Sequence, residues 1–354
     1  MQHMNLLKKS ALALFMAAAL YSCKSDDEDS SPIPIDPEPE PKTAVHIPDQ
    51  NFEQRLIALG IDTDREVNQQ IWLEDALAAT VLELFSTDEQ DKITDLTGIE
   101  EFTNLRFLSV SNNDLQSIDL SKNKALERLN LDYNEFSNID LSENSELTVL
   151  TMVGNDLEAI DLSANHKLET LNLTNNLLQS LDVSANTELI NLNMTVNALK
   201  SIVGLENVQK LKELRLGFNY LEELALNLPA LIGINVEQND LKVLNLQGAN
   251  SLEYLLATNN QLTVLDVSES PTLKHLKVSY NQISELGLSN NTDLEILWAS
   301  GNQLSELDVS GLSALYDLRV IRNDNLTCIE IAEGQEIATL HTESYQGLSA
   351  GGCN

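Results

Sequence analysis

The chain has 354 residues, 42% of them hydrophobic, with 14 glycines and 8 prolines, which suits an ordered protein of one to three domains and excludes a collagenous or fibrous one. Its 21 basic residues stand against 55 acidic ones, a formal net charge of −34. That balance argues against nucleic acid and against anionic membrane surfaces as partners, because both require a basic footprint.

Residues 1–22 place Lys8 and Lys9 ahead of the apolar run ALALFMAAAL, and LYSC follows, ending at Cys23. A positive start and a short apolar stretch read as a secretory signal, too short to span a membrane as a helix. The stretch resembles a bacterial lipoprotein signal, and the resemblance implies that Cys23 becomes the acylated first residue of the mature chain. KSDDED, directly after Cys23, resembles the surface-export signal of bacteroidete-type lipoproteins. It implies a lipid-anchored outer-membrane protein displayed at the cell surface. Residues 23–44 hold five of the prolines and no aromatic residue, so they are expected to form an extended tether reaching roughly 60 Å.

Residues 45–79 are expected to form a small helical N-terminal cap. Phe52, Leu56 and Leu59 recur at helical spacing, Asp49 can cap the start and Gly60 the end, and WLEDALAA suits a second short helix. DTDREVNQQIWLE opens like a calcium loop, but Val67 stands where a glycine is needed and Leu73 where a bidentate carboxylate is needed. No metal site is expected there. VLEL, from Val81 to Leu84, starts the first strand of a repeat array assigned to residues 80–331, and KITDLTGIEEFTNL follows as a degenerate first repeat.

Leucines then open successive units at Leu105, Leu126, Leu147, Leu168, Leu189, Leu211, Leu231, Leu252, Leu273, Leu294 and Leu315, with spacings of 21 apart from one 22 and one 20. The units follow L-x-x-[LI]-x-[apolar]-x-x-N-x-[LIF], apart from Asn325 at the last place of the eleventh. This resembles the leucine-rich repeat, and eleven units make the signal specific. The resemblance implies an α/β repeat solenoid, a horseshoe with a parallel sheet on its concave side, and a role as an interaction module. In a strand such as the one around Leu129 and Leu131, alternation turns the leucines inward and Asn130 and Asp132 outward. One unit cannot bury its inner face alone, so stability comes from stacking.

One asparagine recurs in every unit, at Asn113, Asn134, Asn155, Asn176, Asn197, Asn219, Asn239, Asn260, Asn281, Asn302 and Asn323. The sharp turn after each strand leaves N–H and C=O groups that the sheet cannot pair, and an amide can both donate and accept. These residues are expected to form a buried structural ladder. The DLSKN, DLSEN and DVSAN segments turn the chain along the convex side, with Ser and Asn as local backbone caps and Asp facing solvent. Residues 332–354 are assigned to a C-terminal cap or tail, and Cys328 at the end of the array and Cys353 in the tail either form a disulfide pinning the tail over the last repeat or remain two free thiols.

The positions that do not repeat are the candidates for function. Four variable positions per unit on the concave face hold five basic residues, Arg128, Arg215, Lys277, Arg319 and Arg322, and four acidic ones, Asp132, Glu213, Glu237 and Asp317. On so acidic a chain this face is not acidic. Units three to five carry a neutral hydrogen-bonding strip that includes Thr151, Thr170, Asn172, Thr174, Asn175, Asn191, Asn193 and Thr195, equally compatible with plain strand filler. Units eight to eleven gather Tyr254, His275, Lys277, Tyr280, Trp298, Arg319 and Arg322, residue types that dominate binding hot spots. These seven are the candidate ligand-binding residues.

His275 has no metal-ligand spacing to His3, His46, His166 or His341, and no hydrolase elbow, zinc motif or phosphate loop occurs. Neither an enzyme nor a cofactor is expected. The leading expectation is a monomeric surface lipoprotein that binds a protein, as in adhesion. The alternatives are glycan capture, with Trp298, Tyr280 and Tyr254 as stacking faces, and a passive envelope spacer without a ligand.

Overall fold

The computed structural model describes residues 42–353. The signal segment, the lipidation at Cys23 and most of the tether lie outside the described residues. The last residues of the stretch assigned to the tether are packed: Ala44–His46 forms a strand antiparallel to Gln70–Trp72, and Lys42 lies 5.5 Å from the Trp72 ring centroid.

Helix α1 spans Gln50–Ala58 and helix α2 Leu73–Ala78. Asp49 caps α1 by accepting from the Asn51 and Phe52 amides at 2.9 and 3.0 Å. Its other carboxylate oxygen accepts from the Thr94 and Asp95 amides at 2.8 and 3.1 Å, tying the helix to the first repeat. Phe52 and Leu56 are fully buried, with Phe52 6.4 Å from the Phe102 ring. Leu59, third of the helically spaced apolar residues, is 44% exposed because the helix has ended by that point.

Beyond α2, one parallel sheet of thirteen short strands runs in chain order from Val81–Glu83 to Thr339–His341 and lines the concave side. The registers are uniform, so Leu129, Leu150, Leu171 and Leu192 lie side by side. The central residue of every strand from Leu82 to Leu318 is at most 2% exposed. Burying each leucine contributes about 1.5–3 kcal/mol, and only the neighbouring turns provide the burial. The sheet runs one strand past residue 331, the expected end of the array. That last turn keeps only Leu340 of the leucine pattern, 38% exposed at the open end, so periodicity does not reveal it. Gly347–Ser349 pairs with Cys328–Glu330, and a disulfide joins Cys328 to Cys353.

Each repeated asparagine is at most 9% exposed and works across turns. Asn197 is typical: its Oδ1 accepts from the Leu178 amide at 3.1 Å, and its Nδ2 donates to the Leu173 carbonyl at 2.9 Å and to the Met194 carbonyl at 3.2 Å. The residue just before each ladder asparagine takes a left-handed conformation, as at Tyr133 (φ 54°), Gly154 (φ 66°), Val196 (φ 58°) and Tyr280 (φ 56°). Glycine and asparagine tolerate that geometry, whereas Val196 adopts it at a cost of about 1–3 kcal/mol.

A second ladder corrects the expectation that the convex-side asparagines are local caps. Asn123, Asn144, Asn165, Asn186 and Asn291 are wholly buried. Asn144 Nδ2 donates to the Leu120 and Asn123 carbonyls of the preceding turn at 3.1 and 3.0 Å, and Asn165 repeats this on Leu141 and Asn144. Between Asn186 and Asn291 the same place is taken by Val208, Leu228, Ala249 and Ser270. The local caps are the aspartates: Asp119, Asp140 and Asp161 each accept from the amide two residues on at 2.9 Å.

Asn197→Leu removes three buried hydrogen bonds and leaves their partners unsatisfied, an expected loss on the order of 2–4 kcal/mol. Thermal unfolding checks this, and an unchanged melting curve contradicts the ladder. Asp62 supplies a pH test. It is fully buried beside Asp64, and burial, followed by the Asp64 charge, pushes its carboxyl up to about 6. The folded state then holds a proton that the unfolded chain releases from about pH 4, so stability falls as pH rises toward 6, by roughly 2–3 kcal/mol. Asp62→Asn should therefore raise the melting temperature at pH 7.5 and lose that advantage near pH 4. Equal curves for the two proteins at both pH values contradict the assignment.

Candidate functional site

Strand register decides which variable side chains meet. On the concave face Tyr254, His275, Ile296 and Asp317 occupy one row, and Leu256, Lys277, Trp298 and Arg319 the next. Adjacent strands lie about 4.8 Å apart, so each side chain contacts its counterparts one turn away.

The second row forms a stack. Lys277 Nζ lies 3.9 Å from the Trp298 ring centroid and the Arg319 guanidinium carbon 4.1 Å from it. The two cations come from the strands on either side of Trp298, so each covers one face of the indole. Asp317 locks the arrangement, accepting from Trp298 Nε1 and from Arg319 Nε and Nη2, all at 3.0 Å. Burial works to raise the Asp317 carboxyl, but hydrogen bonds from Arg319 and Trp298 outweigh it and hold the group below the usual carboxylate range. Sequence reasoning counted Asp317 only as one of four acids on this face; its place on the strand next to Trp298, diagonal to it in register, was the available signal.

In the first row the Tyr254 and His275 rings meet edge to face at 4.9 Å. His275 Nε2 lies 3.8 Å from Glu295, and burial, only partly offset by the Glu295 charge, lowers the imidazole pKa. Tyr280 and Arg322 occupy the left-handed turn positions at the rim. Gly301 stands between them, and a Cβ there would meet Tyr280 Cδ1 at 2.7 Å. The Tyr280 ring therefore lies against the Gly301 backbone, and the Arg322 guanidinium reaches to 5.9 Å from the ring centroid. All seven candidate residues thus fall on four consecutive turns, in three contacting groups.

Arg128 lies apart, 5.0 Å from the Phe107 ring. The neutral strip borders a depression of about 190 Å³ lined by Thr170, Asn172, Asn191 and Asn193, with Glu213 and Arg215 at one side. A larger hollow of about 630 Å³ lies between Val243 and Val264, along the strand Val243–Asn245 rather than on the thirteen-stranded sheet that carries the aromatic cluster. Its size does not weigh against the cluster, because extended partners bind solenoids across open faces. Among the described residues, no group of three or more His, Cys, Asp or Glu side chains is placed to hold a metal ion.

No protein-family model matches the chain, and no curated protein matches it. Solved structures do. The functional domain of InlJ from Listeria monocytogenes, which includes a cysteine ladder, aligns with a TM-score of 0.72 at 27% identity, over 87% of this chain and 72% of that one. YopM, a leucine-rich effector protein from Yersinia pestis, aligns at 0.58 and 27% identity over 69% and 67% of the two chains. An internalin (inlF) from Listeria monocytogenes aligns at 0.58 and 20% identity over 86% and 91%. In fold, the chain is a leucine-rich repeat solenoid of parallel strands, with ladders of asparagine between its turns.

Proposed function

We propose that the chain is a non-enzymatic binding protein that engages a protein ligand through the concave face between Tyr254 and Arg322. The observation that carries this reading is the Lys277–Trp298–Arg319 stack: aromatic and cationic side chains held on neighbouring strands, on a face with five basic and four acidic residues in a strongly acidic chain. Similarity in fold to InlJ and YopM supports an interaction scaffold. Acylation at Cys23, with residues 23–44 as a tether, would display the array at the outer membrane surface, and adhesion is the role that suits such display.

The glycan alternative needs open ring faces. Trp298, the largest of the three rings, has a cation on each face, and Tyr280 has one face against Gly301, which leaves the indole no open stacking face. The protein reading is therefore preferred.

With the full chain as bait against solubilised envelope and extracellular extracts, the wild type should retain a protein that a Tyr280→Ala, Trp298→Ala, Arg319→Glu variant of equal melting temperature does not. Retention should weaken with added salt, since the contacts involve charge. Equal retention by both proteins moves the site elsewhere, and no retention by either favours the spacer. Display is checked by protease shaving of intact cells: the array should be cleaved without lysis, and protection until lysis contradicts surface exposure.

A further inference from the structure

With 55 acidic residues for 21 basic ones, every base on this chain could have a carboxylate partner. Many do, and the partner is typically one turn away. Lys122 pairs with Glu101, Lys124 with Glu143 and Lys167 with Glu146, each at 2.6 Å, and Lys274 with Glu253 at 2.8 Å. Such exposed pairs contribute little to stability, but they neutralise the cations.

Lys277 and Arg322 depart from this pattern. Neither makes an ion pair among the described residues, and each is placed instead on an aromatic ring, Trp298 and Tyr280 respectively. A ring face steadies a cation without using up its N–H donors, so both groups keep donors for a ligand. Arg319 differs, because Asp317 holds it with two hydrogen bonds and cancels its charge. Arg319 serves as the second wall around Trp298, while Lys277 and Arg322 are the uncompensated charges. Gly301 is part of the same device, since a side chain there would displace the Tyr280 ring that Arg322 approaches.

Resting on the reading of this face as a protein-binding surface, we infer that the partner docks an acidic, extended peptide segment across the turns from Lys277 to Arg322. Arg128 also lies on a ring without an ion pair, but it stands alone at the other end of the sheet, whereas Lys277 and Arg322 share one cluster. The Lys277 and Arg322 backbones are two turns apart, roughly 10 Å along the stack, a step that about three residues of extended chain span, and each side chain leans toward the turn between them. Carboxylates spaced by three residues in one segment can therefore reach both. With both faces of Trp298 covered, an acidic sugar has cations to meet but not the indole as a stacking platform, which favours the peptide.

The test uses the full chain and fluorescein-labelled twelve-residue peptides with glutamate at every third position, read by anisotropy at low salt. The glutamate peptide should bind at least tenfold more tightly than the same peptide with glutamine. A Lys277→Met, Arg322→Met variant of unchanged melting temperature should lose that preference, while Lys200→Met, which removes a cation distant from the cluster, should keep it. Equal binding of the two peptides, or a preference that survives Lys277→Met, Arg322→Met, overturns the inference. Tighter binding of a sulfated oligosaccharide with the same dependence on Lys277 and Arg322 also overturns it, in favour of an anionic glycan. If the peptides fail while the wild-type bait still captures a protein that the triple variant does not, this inference falls and the protein-binding reading stands. If both experiments fail, both fall.

Discussion

A chain that turns sharply every 21 residues cannot satisfy its own backbone within one turn, and the rest of the structure depends on how that deficit is met. Strand amides and carbonyls pair between turns, but the groups just after each strand have no sheet partner. An asparagine amide solves this because it donates and accepts at once: Asn134, for example, takes the Leu115 amide at 3.1 Å and gives to the Val110 carbonyl at 2.9 Å. Aspartate would lack the donor and leucine would lack both. On the other side of the coil Asn123, Asn144, Asn165 and Asn186 only donate, to carbonyls of the preceding turn, and their Oδ1 atoms have no partner, but turns in that part of the stack are still tied at two points.

Tied turns make a lattice, and the lattice explains the candidate site. Because register is uniform, Lys277, Trp298 and Arg319 must be neighbours although they are 21 residues apart in sequence. No loop needs to be ordered for them to meet, so little entropy is lost in holding the stack. The same uniformity leaves the concave positions free to vary, since an outward side chain there is not needed for the core. Function can be written on this face without disturbing the ladder that supports it.

Much of this was legible in the sequence. The leucine period and the invariant asparagine carry the fold, because each reflects a contact that must recur in every turn. The cluster from Tyr254 to Arg322 was legible as a set of residues once the strands were placed. What periodicity could not convey was the orientation of side chains: that both faces of Trp298 are covered, that Asp317 serves both Trp298 and Arg319, and that Gly301 makes room for Tyr280. Those depend on packing between turns rather than on position within one. The second ladder was misread for a different reason. In DLSEN the asparagine sits among polar turn residues, and a buried amide and an exposed cap look alike in such a context. The last strand, Thr339–His341, escaped because an end turn with one solvent-facing side needs fewer leucines.

The claim at the centre is that the non-repeating side chains of turns eight to eleven are where a partner rests. Hydroxyl-radical footprinting of the full chain, free and in complex with a captured partner, tests it directly, because tyrosine, phenylalanine and tryptophan are readily oxidised where exposed. Tyr254 and Tyr280 are 37% and 45% exposed, while Tyr133, Phe218 and Tyr220, more than half exposed, lie on other turns and serve as internal controls. The account predicts that Tyr254, Tyr280 and Trp298 are protected in the complex while Tyr133, Phe218 and Tyr220 are oxidised as before. Protection of those three controls, with Tyr254, Tyr280 and Trp298 unchanged, would contradict it.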